Sequence, residues 1–117
     1  MKKLLILTSI AEGGFGLLLL AYPAIVVWLL LKAEIVGAGA ITARLTGLAL
    51  IALAVACWPE EGAVRPYYGM LTWSVLAMLG LIVLGIGGYA GILLWPAVVV
   101  HGVIAVLLVL TNRRAKV

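Results

Sequence analysis

Three ionisable side chains stand inside long apolar runs of this sequence: Glu12, Arg44 and His101. An ionisable group at hydrocarbon depth costs several kcal/mol unless it finds a partner. Each is therefore a candidate for proton handling, for ligand binding, or for a contact that only fixes the register of two helices. Glu12 lies in Ser9-Ile10-Ala11-Glu12-Gly13-Gly14-Phe15-Gly16, a carboxylate set among glycines. Ser9, Glu12, Gly16 and Pro23 fall roughly on one helical face, where glycine leaves room for a ligand or a neighbouring helix.

Depth follows from the helical rise. At ~1.5 Å per residue, Glu12 lies about 12 Å inside its segment and His101 about 14 Å inside its own, counted from the same end. Thr72, Trp73 and Ser74 fall in that layer, whereas Arg44 lies about 21 Å from that end. The spacing predicts a polar cluster in which Glu12 pairs with His101 or Arg44, and Ser9, Thr46, Thr72 or Ser74 complete the hydrogen bonds. Arg44 has a second option. It lies only about 9 Å from the opposite end of its helix and can snorkel to the interface.

Other chemistries find little support. Cys57 is the single cysteine, which excludes an internal disulfide and a cysteine-based zinc site. No His-Glu-x-x-His signature or triad context for a serine occurs. A haem held by His101 would lack a second axial candidate. No metal or cofactor is expected. Glu60 and Glu61 follow Pro59 in a polar turn and read as solvated. The net charge of +4 is spread over segment ends without interleaved aromatics, so it is not a nucleic-acid footprint.

The elements that carry these residues are helices in lipid. Of 117 residues, 67% are hydrophobic and 10% charged, against about 25% charged in soluble domains. A chain this short cannot hide so much apolar surface from water. The sequence predicts an all-α polytopic membrane protein, a single domain over 1–117 with four transmembrane helices in an up-down antiparallel bundle. The helices are expected at about 4–31, 38–58, 67–86 and 92–110. The first is long enough to tilt, to kink at Pro23, or to end there with 24–31 bending along the interface. Its start resembles a signal peptide, but the apolar run resumes after Gly16, so a signal-anchor helix fits better. The tail from Thr111 to Val117 is expected to fray.

Lys2, Lys3, Arg65, Arg113, Arg114 and Lys116 collect at one side and only Lys32 at the other. That asymmetry predicts an inner (plasma) membrane protein with both termini in the cytoplasm. Small residues are the expected packing points: Gly13 and Gly16, Ala43 and Gly47, Gly80 and Gly85, Ala97 and Ala105.

Two family resemblances attach to particular residues. The proline-terminated run Leu17-Leu18-Leu19-Leu20-Ala21-Tyr22-Pro23, a short glycine-containing loop and the segment Ala43-Arg44-Leu45-Thr46-Gly47-Leu48-Ala49-Leu50 resemble DoxX-like proteins and neighbouring four-helix bacterial membrane families. The likeness covers the first half. It implies a four-helix bundle with an accessory role around membrane redox chemistry, quinones or lipids. Ala11-Glu12 in the first helix is similar to the glutamate of small multidrug resistance transporters, which implies a carboxylate that exchanges protons for a cation. The third helix lacks that family's Pro…Ala-Tyr-Ala-x-Trp-x-Gly pattern, and the basic bias forbids the dual topology of many members.

The expectation is a non-enzymatic accessory or binding protein. Its candidate partners are membrane lipids, another membrane protein, a quinone or a second copy of the chain, and not nucleic acid. The alternative is a proton-coupled transporter using Glu12. An enzyme using Glu12 and His101 as acid and base ranks last.

Overall fold

The computed structural model describes residues 2–116, with side chains described for residues 2–113. Five helices follow one another: α1 (Lys2–Ala21), α2 (Pro23–Leu31), α3 (Ala38–Ala56), α4 (Arg65–Ile86) and α5 (Leu94–Lys116). Four of them, Lys2–Ala21, Ala38–Ala56, Arg65–Ile86 and the Leu94–Arg113 part of α5, are long and apolar enough to cross a membrane. Between 11% and 33% of each such span is buried inside the protein. The remaining apolar surface is far more than water would tolerate, and lipid is its solvent.

The first long apolar run divides at Tyr22, whose φ of −131° and ψ of 61° leave the helical region. Pro23 causes this, since the residue before a proline is pushed out of the α conformation. Pro23 then opens α2, where its missing N–H is harmless. The loss is small. Tyr22 still donates to Leu18 O at 2.7 Å, and Val26 donates to Tyr22 O at 3.2 Å. Pro66 sits in the first turn of α4, where a proline is tolerated in the same way. At the other end of the chain α5 runs on to Lys116, so the expected frayed tail is helical up to that residue. Val117 lies outside the described residues.

Successive spans pair. α1 packs chiefly on α3, and α4 chiefly on α5. The α1–α3 seam closes at glycine: a Cβ on Gly16 would lie 2.7 Å from the Gly47 carbonyl oxygen, and one on Gly47 would lie 2.6 Å from the Gly16 oxygen. In lipid nothing drives helices together hydrophobically, so close backbone approach does. The α4–α5 seam uses Gly85 against Leu94 and Trp95, and Gly102 against the Met78 sulfur. Gly80 meets no atom within 4 Å and is exposed, so it is not the packing point its spacing suggested.

Two clusters join the pairs. Leu5, Cys57, Tyr67, Met70 and Leu108 pack together near the starts of α1 and α4 and the ends of α3 and α5. These four helix termini therefore share one end of the molecule. Leu19, Val26, Ala43 and Leu50 form the second cluster towards the opposite end, and Trp73 packs against both. At that opposite end the backbone N–H groups of Gly91 and Leu93 donate to Leu30 O and Leu29 O at 3.0 and 2.9 Å. The loop before α5 thus satisfies the last carbonyls of α2, which have no partner in their own helix. Gly91 is required there, because a Cβ would strike the Leu29 carbonyl.

Candidate functional site

Glu12 is carried on the α1 face that includes Leu5, Thr8, Ser9, Gly16 and Leu19, all buried. It is 7% exposed. Its partner is His101 of α5: Glu12 Oε1 lies 3.7 Å from His101 Nδ1. The register explains the meeting. Leu5 and Leu108 share a cluster, and seven residues along α1 and seven back along α5 bring Glu12 to His101. Seven residues are about two helical turns, so antiparallel helices in step present the same faces again.

Trp73 of α4 completes the layer. Its ring stands edge-on to the imidazole, with centroids 6.2 Å apart and planes at 87°. Ser74, next to it, is fully buried, as is Ser9 one turn before Glu12. Ser9 Oγ, Ser74 Oγ, Trp73 Nε1 and His101 Nδ1 are enclosed and have no hydrogen-bond partner. Thr8 turns its hydroxyl back to Leu4 O and Leu5 O at 2.9 and 3.1 Å and takes no part.

Three residues of the expected cluster lie elsewhere. Arg44, Thr46 and Thr72 are exposed on the outer surface. α3 turns Ala43, Gly47 and Leu50 inward, and Arg44 and Thr46 each lie about 100° around the helix from that face. Thr46 donates instead to Thr42 O at 2.9 Å. Thr72 lies about 200° around α4 from both Met70 and Ser74, which are buried. Among the described residues Glu12–His101 is the one ion-pair contact, so Arg44 has no carboxylate within the bundle. Thus Glu12 meets His101, not Arg44, and Ser9 and Ser74 are buried at about the same depth but make no hydrogen bond to the pair.

Depth along α4 placed Trp73 in this layer but gave it no role in the polar cluster; the other three tryptophans stand near segment ends, and this one stands mid-span. Cys57 is 2% exposed, and its sulfur lies 3.1 Å from where a Cβ on Gly69 would stand. A thiol so enclosed is packing rather than a reactive group.

The site is packed. An open groove of ≈ 420 Å³ lies at the opposite end of the molecule, lined by Ala24, Ile25, Trp28, Ile35 and Val36 with Glu34 among them. A shallower one of ≈ 250 Å³ lies between α4 and α5. Neither reaches Glu12 or His101. Among the described residues no three His, Cys, Asp or Glu side chains gather as a metal site would need. The arrangement can hold α1 against α5 and can keep a proton between carboxylate and imidazole. No family model, curated protein or solved structure matches the chain.

Proposed function

We propose that this chain is a non-enzymatic membrane subunit that binds another membrane protein through the outer face of α3. The observation that carries the reading is Arg44. It is exposed partway along a spanning helix and has no carboxylate within the bundle. An arginine at that depth needs a counter-charge or a reach to the interface. Thr42 and Thr46 lie on the other flank of α3, about 160–200° around the helix from Arg44, and their hydroxyls are spent on carbonyls one turn back. A two-fold contact between copies of this chain through the Arg44 face would bring Arg44 near its own symmetry mate. A partner helix that supplies a carboxylate suits the face better. The resemblance to DoxX-like proteins points the same way, towards an accessory role. The proposed setting is the inner (plasma) membrane, with both termini in the cytoplasm, on the strength of the basic residues at that end.

Native mass spectrometry after extraction in mild detergent tests this. A stoichiometric protein partner is expected with the natural chain and lost with Arg44→Leu. A lone chain that carries the same lipids with either residue would overturn the proposal and leave Arg44 as a residue that reaches for lipid phosphate.

A proton-coupled transporter using Glu12 is the second reading, favoured by the burial of that carboxylate. It stands behind the first because neither groove leads to Glu12.

A further inference from the structure

The middle of the bundle holds more hydrogen-bonding atoms than it satisfies. Ser9 Oγ, Ser74 Oγ, Trp73 Nε1 and His101 Nδ1 come from three helices, and all four are enclosed without a partner. Ser9 is 1% exposed and Ser74 0%. Each such group left bare is destabilising, and four of them together would consume much of the stability of a small domain.

These atoms lie in one layer. Ser9 is one turn before Glu12 on the same face of α1, Trp73 stands against His101, and Ser74 follows Trp73. Glu12 Oε1 and His101 Nδ1 face each other across 3.7 Å, beyond hydrogen-bond length. Ser9 and Ser74 at this depth are small, while Gly13 and Gly102 are taken up by close contacts with Ala54 and the Met78 sulfur.

The donor and acceptor types select the ligand. The indole N–H only donates, the ionised carboxylate only accepts, the hydroxyls do both, and Nδ1 does either according to tautomer. Water donates two hydrogen bonds and accepts two, and a buried water makes about three. A second anion would be repelled by Glu12. A metal cation would meet an indole N–H that cannot ligate it. Neither groove described above would lead a larger organic ligand to the layer.

We propose that the bundle interior is a water-binding site, in which bound water bridges Glu12 to His101 and completes the hydrogen bonds of Ser9, Ser74 and Trp73. Such water joins α1, α4 and α5 at mid-span, with more than one molecule for five groups because each makes about three hydrogen bonds. It also gives a proton a path between carboxylate and imidazole, since one water between them is a sufficient relay. The site does not depend on the partner proposed for α3.

His101 is the chain's single histidine, so its imidazole ¹⁵N signals need no residue assignment, and Nδ1 is told from Nε2 by its couplings to the ring protons. The experiment is NMR transfer of magnetisation from water to the imidazole nitrogens of ¹⁵N-histidine-labelled protein in lipid nanodiscs. Transfer to Nδ1 is expected in the natural chain and lost in the Ser9→Ala, Ser74→Ala double variant. Trp73→Phe, which removes one donor and keeps the ring, weakens it and serves if the double variant fails to fold. No transfer in the natural chain would overturn the proposal. Undiminished transfer in the folded variants would overturn it too, because water would then be reaching His101 from outside the layer.

Discussion

At the level of single residues the molecule separates two kinds of polar group in its spans. Glu12, His101, Ser9 and Ser74 face the interior, while Arg44, Thr46 and Thr72 face outward. The inward set should govern stability. Glu12→Ala removes the carboxylate that faces His101 Nδ1 across 3.7 Å, leaves a gap in the bundle interior and is expected to destabilise by about 0.5–3 kcal/mol. Glu12→Gln keeps the shape and the acceptor oxygen and should lose clearly less. Thr46→Ala and Thr72→Ala, on the outer surface, should stay within about 0.5 kcal/mol. Reversible unfolding of the four variants in one detergent checks the order. If Glu12→Ala behaves like Thr72→Ala, the Glu12–His101 contact contributes nothing to the bundle.

At the level of elements the seams rest on glycine backbones. A Cβ at Gly16 or Gly47 meets a carbonyl oxygen that cannot turn aside. Gly16→Val should therefore force α1 from α3 and cost about 1–3 kcal/mol, as overpacking does. Gly80, with nothing within 4 Å, predicts the opposite sign: Gly80→Ala should stabilise by up to about 1 kcal/mol through helix propensity. Gly91→Ala should loosen the join between α2 and α5, because the added methyl meets the Leu29 carbonyl that Leu93 caps. Melting temperatures in detergent distinguish the three, and a destabilised Gly80→Ala would mean that its surface is covered by something beyond this chain.

These elements also mark how far the sequence could be read. The four spans were legible because apolar length in lipid admits only helices at this size. The break at Tyr22 was legible as one of three outcomes for Pro23, since a proline constrains its predecessor whatever surrounds it. The Glu12–His101 layer was legible from rise per residue alone, because both depths are measured from the same end. Which way Arg44, Thr46, Thr72 and Gly80 face was not. Depth says nothing about rotation around the helix axis, and rotation is set by the seam a neighbour offers, here Ala43 and Gly47 on α3. The caps that Gly91 and Leu93 place on α2 were out of reach for the same reason, since they join segments about sixty residues apart.

At the level of the whole molecule, the cluster of Leu5, Cys57, Tyr67 and Leu108 gathers four helix termini at one end. That end carries Lys2, Lys3, Arg65 and Arg113, and the other carries Lys32. Short basic flanks are retained in the cytoplasm, so the proposed orientation makes a prediction that side-chain accessibility can decide. Cys57 is enclosed and should resist an impermeant maleimide from either side of the membrane. In a Cys57→Ser background, a cysteine placed at Val36 should be labelled on intact cells, because Val36 is 85% exposed in the loop between α2 and α3. A cysteine placed at Glu60, exposed in the loop between α3 and α4, should be labelled only after the membrane is opened. The reverse pattern would invert the molecule. Equal labelling of both on intact cells would mean that the chain inserts both ways, which its basic residues should forbid. That outcome would turn attention back to Glu12 as a transporter carboxylate, since two opposed copies can serve both faces of a membrane.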